Sequence, residues 1–293
     1  MMVRFFGRTS LRQYLPSKPD RYCIKLWALC AANGYLFDLD IYCGKSGTRV
    51  EEKLSSCALS SRVVLQMLDQ LLKNVSKKKL AEYHLYIDNF FTSPDLLLHL
   101  KKIGMRSTGT LRKNRIKKQH KFEKKDARGT YKVHYDQNSG VNYISVIDSK
   151  PVSLLSTAAS VSPMMSMKRY SSNGKNRIEY QFPFAFSIYN KFIGGVDVHD
   201  YRCKRVSMSI NSKKWTWAIA TRILQSSITN ATIIWNVCNG DEKKKISTKE
   251  MCMKVSETYL SISKLSDFLS HKHESKERRT CSYEGCTLRL DFV

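Results

Sequence analysis

Asp88 follows a short apolar run, Tyr83 to Ile87, and precedes Asn89-Phe90-Phe91-Thr92-Ser93. A carboxylate at that place projects from the end of a sheet strand, where α/β folds put their active sites. Much later, Gly194-Gly195-Val196-Asp197-Val198-His199-Asp200 sets two aspartates three residues apart at a predicted helix start, on one face. Paired glycines before them let the backbone approach another element closely. Carboxylates gathered from distant segments are what two-metal phosphoryl transfer needs, one ion activating the attacking oxygen and the other steadying the leaving one. The competing reading is structural: Asp88 caps the next helix, and Asp197 and Asp200 complement a helix dipole.

The elements that would position these acids can be read locally. Residues 22–29 (YCIKLWAL) and 35–42 (YLFDLDIY) predict a hairpin around the turn dipeptide Asn33-Gly34. Residues 60–75 carry Val63, Val64, Met67, Leu68, Leu71, Leu72 and Val75 on one helical face. Ser93-Pro94-Asp95 opens a second helix with a cap, a first-turn proline and a first-turn acid, and Gly104 closes it. A strand is expected at 105–111, a hairpin at 131–147 and a strand at 152–155. The Ser/Met-rich piece from 156 to 172 reads as a loop. Residues 197–236 read as mostly helical with Trp215, Ile219, Ile223, Ile234 and Trp235 as apolar anchors. The Lys/Glu/Ser-rich tail past Gly240 reads as weakly ordered. The order of elements predicts a mixed α/β sheet covered by helices.

The chain of 293 residues carries 50 Lys+Arg against 25 Asp+Glu, a formal charge of +25. No run approaches the ~18 apolar residues of a membrane helix, and the first residues lack the pattern of a signal peptide. Nine cysteines without close pairs over most of the chain suit reduced thiols inside a cell. The charge is concentrated: residues 101–134 hold 13 Lys/Arg against Glu123 and Asp126. Such a block, including Lys113, Arg115, Lys117 and Lys118, suits a phosphate backbone, although a lone charge run can be merely a solvated loop. Residues 202–222 add Arg202, Lys204, Arg205, Lys213, Lys214 and Arg222 with no acid, interleaved with Trp215 and Trp217. Nucleic acid is the leading partner on charge, ahead of an anionic membrane surface.

Taken in order, these residues resemble the piggyBac transposase family and the transposable-element-derived proteins descended from it. The likeness runs through Arg4-Phe5-Phe6-Gly7-Arg8, Tyr14-Leu15-Pro16-Ser17-Lys18-Pro19, Ile24-Lys25-Leu26-Trp27, Asp88-Asn89-Phe90-Phe91-Thr92-Ser93, Gly194-Gly195-Val196-Asp197 and Ser212-Lys213-Lys214-Trp215. It implies a ribonuclease H-like α/β fold interrupted by a β-rich insertion. The core would take residues 1–114, the insertion 115–183 and the last core helix 184–206. A helical DNA-binding and dimerisation segment would take 207–240, and a linker with a Cys-rich remnant 241–293.

It also implies double-stranded DNA with TTAA-flanked transposon ends as partner, a homodimer, no membrane, a nuclear location and Mg²⁺ held by three aspartates. Asp88 would be the second of these and Asp197 the third, with Asp200 a further acidic position and Trp215 near the DNA ends. The family's first aspartate belongs to an Asp-Glu pair upstream of the Phe-x-Gly-Arg motif, and Met1-Met2-Val3 offers no residue there. The expectation is a chain truncated at both ends and inactive in strand cleavage by itself. The alternative is a domesticated, non-catalytic DNA- or chromatin-binding module. Cys281 and Cys286 resemble part of a zinc domain; with His271 and His273 they could make four ligands, but four-coordinate sites usually show tighter pair spacing, so zinc is not expected.

Overall fold

The computed structural model describes all residues except 17, 19, 45–57, 172–175, 208–211, 242–243, 270–278, 281–288 and 291–293. His271, His273, Cys281 and Cys286 lie outside the described residues.

The chain opens with β1 (Met2–Arg4), β2 (Arg12–Tyr14), β3 (Tyr22–Cys30) and β4 (Leu36–Ile41). All pair with β3, antiparallel: β1 and β2 flank its first half and β4 its second. The expected hairpin is β3–β4, with Gly34 at φ +86° in its turn. Next come α1 (Leu59–Asn74), α2 (Lys77–Leu80), β5 (His84–Ile87), α3 (Pro94–Lys102) and β6 (Arg106–Thr110). Ser93 caps α3 by accepting from the Leu96 N–H, so Asp88 is not its cap. The stretch expected to be β-rich carries β7 (Tyr131–Asp136), β8 (Val141–Ile147), β9 (Pro151–Ser156), β10 (Met164–Ser171) and β11 (Asn176–Pro183). Three of these join β5 and β6 in one sheet of order β5-β6-β9-β8-β7, parallel only between β5 and β6. The other two form a separate ribbon in full eight-residue register.

The central strands of that five-stranded sheet are covered on both faces, while edge strand β7 is exposed, and side-chain alternation sorts the layers. Tyr143 and Leu155 point to the side packed by Leu68 of α1 and Leu96, Leu97 and Leu100 of α3. Their neighbours Ile144 and Leu154 point to the other side, against Phe182 of β11 and Ala185 and Phe186 of α4 (Phe184–Phe192). His84 of β5 meets Thr108 Oγ1 of β6 through Nε2 at 2.8 Å and the Tyr86 hydroxyl through Nδ1 at 3.2 Å. Burial first, and the Arg106 charge second, bring its pKa down to about 4. The unfolded chain therefore binds a proton below about pH 6.5 that the folded chain refuses. Stability should be fully present above pH 6.5 and fall as pH drops toward 4, and His84→Gln should flatten that part of a urea-midpoint-versus-pH profile.

The C-terminal part is α5 (Gly195–Arg205), α6 (Trp215–Asn239) and α7 (Thr248–Leu269). Three sequence expectations fail here or just before. Residues 164–171 are a strand rather than loop, because β11 supplies a complete hydrogen-bond ladder. The stretch past residue 240 holds a helix of 22 residues, opened by a reciprocal cap: Ser247 N–H donates to Glu250 Oε2 at 2.6 Å and Glu250 N–H to Ser247 Oγ at 3.2 Å. Third, α6 is reversed in polarity. Trp215 and Ile219 do turn inward, but Ile223, Leu224, Ile234 and Trp235 are exposed while Arg222, Gln225, Ser226, Thr229 and Thr232 are buried.

Hydrogen bonds add to the apolar packing on that inner face, where Ile219 and Ile233 are also buried. Asn230 pairs like a strand residue with the Leu36 N–H (2.9 Å) and carbonyl (2.8 Å) on β4. His199 of α5 bonds the Gly34 carbonyl through Nδ1 at 2.8 Å and Ser226 Oγ through Nε2 at 3.0 Å. A carbonyl only accepts, so Nδ1 carries a proton toward Gly34.

Candidate carboxylate site and its basic surroundings

Asp88 leaves the end of β5 in a tight turn. Its Oδ1 accepts from the Phe90 N–H at 2.7 Å, while its carbonyl accepts from the N–H groups of Phe91 and Thr92 and from Thr92 Oγ1. Side-chain capping of a turn two residues on is the usual use of an Asp at such a position. It leaves Oδ2 without a hydrogen-bond partner among the described residues, on an exposed side chain. Gly109 of β6 makes room for the turn: a Cβ there would stand 2.1 Å from Thr92 Oγ1 and 2.9 Å from the Ile87 carbonyl.

Cations and rings frame the turn. Arg112 donates through Nε to Asn89 Oδ1 at 3.0 Å and lies over the Phe90 ring. Arg115 donates through Nη1 to the Thr92 carbonyl and through Nη2 to the Phe90 carbonyl, each at 2.6 Å. Sequence reasoning offered Arg115 as a DNA contact; here those two groups brace the Asp88 turn. Lys25 of β3 sits over Trp27, Tyr42 and Phe90. Burial depresses its ammonium from the ordinary value, and the Asp88 charge works against that shift. Across the sheet, the Tyr189 hydroxyl of α4 donates to the Ile87 carbonyl at 3.2 Å and meets Thr110 Oγ1 at 3.1 Å.

Tyr189 anchors α4, and the chain then turns directly into α5. Gly195 sits so close to the end of β3 that a Cβ would be 2.3 Å from the Ala31 carbonyl oxygen. Asp197 follows in the first turn of α5, exposed and without a hydrogen bond or ion pair among the described residues. Asp200, one turn on, is engaged: it accepts from Arg222 Nη1 at 2.9 Å and pairs with Lys204 at 3.2 Å. Arg222 Nη2 also reaches the Met2 carbonyl at 3.5 Å, and Met2 is the β1 partner of Lys25. Asp88 and Asp200 are thus both connected to the Met2–Lys25 rung. No hydrogen bond or ion pair joins Asp88 to Asp197, and among the described residues no three His, Cys, Asp or Glu side chains gather as a metal-binding group. Sequence reasoning missed Lys25, Gly109 and Tyr189, whose roles depend on long-range packing; only Arg112 was visible, inside the basic run.

The remaining expected cations are on the surface. Lys113, Lys117, Lys118, Lys204, Arg205, Lys213 and Lys214 are exposed, with Lys204 held by Asp200 and Arg205 packed over Tyr201. Trp215 is partly buried against Val3, Phe5 and Ile24 rather than presented outward. Beside the Asp88 turn, Arg112, Lys113, Lys121, Phe122 and Tyr143 line a cleft of about 340 Å³. No helix among the described residues is long and apolar enough to cross a membrane.

Comparison with known proteins gives a consistent picture. Residues 1–232 match a family model described as Transposase IS4. The chain is 32% identical over 218 residues to PiggyBac transposable element-derived protein 3 of Homo sapiens, covering 73% of this chain and 35% of that protein. It is 26% identical over 244 residues to the human PiggyBac transposable element-derived protein 2, covering 82% of this chain and 40% of that one. The chain therefore spans well under half the length of these relatives. Its fold is similar to that in a cryo-EM structure of a piggyBac transposase synaptic complex with hairpin DNA. The TM-score is 0.67 at 23% identity, over 87% of this chain and 49% of the other.

Proposed function

Because this chain belongs to the piggyBac family of transposases and transposase-derived proteins, we propose that it is a DNA-binding protein of that family, acting in the nucleus on duplex DNA. The observation that carries the reading is the Asp88 turn, an exposed carboxylate held at a strand end and framed by Lys25, Arg112 and Arg115. Beside it lie the exposed cations of the basic run. TTAA-flanked ends and a homodimeric assembly belong to the same proposal by family likeness.

The family's Mg²⁺ chemistry does not fit the residues as arranged. Asp200 is neutralised by Arg222 and Lys204, and Asp88 and Asp197 alone fall short of the carboxylate set a two-ion centre uses. On this proposal the chain by itself binds DNA without cutting it. Asp88, exposed and with Oδ2 unbonded among the described residues, would hold a divalent cation only weakly. Mn²⁺ titration followed by electron paramagnetic resonance should give saturation only in the millimolar range, and Asp88→Asn should remove it. Tight stoichiometric binding would overturn the non-catalytic reading.

DNA binding is tested by fluorescence anisotropy with a duplex across a salt series. The slope of log K against log salt should be steep, and each lost phosphate contact should lower it by about 0.9. Replacing Lys117, Lys118, Lys124 and Lys125 with Ser should flatten the slope and leave thermal stability unchanged. Salt-independent binding, or none at low salt, would sink the proposal.

A further inference from the structure

Phe6, Tyr14 and Tyr22 stand exposed at 61%, 55% and 39%, far more than rings of this size usually are in a folded chain. They are contiguous. Tyr14 and Tyr22 are direct cross-strand partners on β2 and β3, with ring centroids 5.1 Å apart, and Phe6 lies 6.3 Å from Tyr22. Guanidinium groups are interleaved with them: Arg4 lies 4.8 Å from the Phe6 centroid and Arg12 5.1 Å from that of Tyr22. Arg12 is also tied to the backbone, donating to the Phe6 and Gly7 carbonyls at 3.1 Å each. The platform is therefore held in place before any ligand arrives. Across residues 1–22, Arg4, Arg8, Arg12, Lys18 and Arg21 face a single acid, Asp20.

We propose that Phe6, Tyr14 and Tyr22, with Arg4 and Arg12, form a stacking site for the bases of an unpaired DNA strand. An apolar protein partner would gain little from rings already bracketed by cations, whereas a polyanion carrying flat π-faces matches both features. Spacing selects the unpaired form. Stacked duplex bases repeat at about 3.4 Å, too closely for one base on each of rings 5.1 and 6.3 Å apart. An extended single strand has the slack to place successive bases on successive rings. The site lies outside the Asp88 turn and the Lys113–Lys125 run, so it adds a strand-separated segment to what the chain holds. It rests on the DNA-binding reading given above.

The test compares anisotropy of fluorescent ten-nucleotide oligothymidylate with that of a ten-base-pair duplex, at one salt concentration, using the full chain. Phe6→Ala and Tyr14→Ala should each weaken oligothymidylate binding by about 5-fold or more, with duplex affinity changed by less than about 2-fold. Tyr14→Phe should retain the wild-type value, since it keeps the ring. All positions are exposed, and an unchanged melting curve confirms the fold of each variant. Equal losses on both probes, or no loss on oligothymidylate, would overturn the stacking site. A wild-type chain that binds duplex but not oligothymidylate overturns this inference and leaves the DNA-binding reading standing; binding to neither probe overturns that reading too.

Discussion

Gly195→Ala should destabilise the protein by about 3 kcal/mol or more, an unusually large effect for adding one methyl group. The added Cβ would stand 2.3 Å from the Ala31 carbonyl oxygen and 3.0 Å from its carbonyl carbon. Both are backbone atoms at the end of a paired strand, so no side-chain rotation relieves the overlap. Either α5 lifts away from β3 or the β3–β4 turn distorts, and the His199 bond to the Gly34 carbonyl is lost in both cases. Gly194→Ala is the matched control, since a Cβ there meets nothing within 4 Å; it should change stability by less than about 1 kcal/mol. Urea denaturation of the pair gives the comparison directly. Comparable losses at both positions would show that the glycines matter for helix entry rather than for the close approach to Ala31.

Asp200→Ala is expected to cost about 3 kcal/mol, because it strands a cation. Arg222 is 8% exposed in its side chain, its Nε has no hydrogen-bond partner, and its other tie is a long bond to the Met2 carbonyl. Asp200 is therefore the main compensation for a charge lodged beneath α6. Its second partner, Lys204, is largely exposed and contributes little. Replacing both residues, as Asp200→Ala with Arg222→Met, should recover most of the loss, since an apolar pair of similar volume has no charge to strand. Urea midpoints of the two variants measure this. A single variant of wild-type stability with weakened Mn²⁺ binding would return Asp200 to the metal-ligand role that its spacing from Asp197 suggests.

Local chemistry was legible along the chain. Asn33-Gly34 between alternating runs announces the β3–β4 hairpin, and Ser93-Pro94 announces α3, because turn and cap preferences act within a few residues. Asp88 and Asp197 could be picked out at a strand end and a helix start for the same reason. What could not be read depends on partners far along the chain. Residues 164–171 look shapeless until β11 pairs with them. Arg115 looks like one more free cation in a basic run until its guanidinium is seen against the carbonyls of the Asp88 turn. One miss had a signal: Ser247-Thr248-Lys249-Glu250 has the spacing of a reciprocal helix cap, outweighed by the solvated composition around it. The hardest case was α6, whose apolar residues mark a helix correctly but suggest the wrong inner face.

That reversed helix inverts the ordinary grammar of tolerance to substitution. In most helices the apolar positions resist change and the polar ones drift. Along α6 of the isolated chain, serine or lysine at Ile223, Leu224 or Ile234 removes only water-facing surface, and should raise solubility at little cost in folding. Valine at Thr229 or leucine at Ser226 would instead break bonds to Cys203 and His199. A scan scored by folding and a scan scored by activity would then disagree along this one helix. Positions silent in the first and intolerant in the second would map whatever the outer face meets when the protein works.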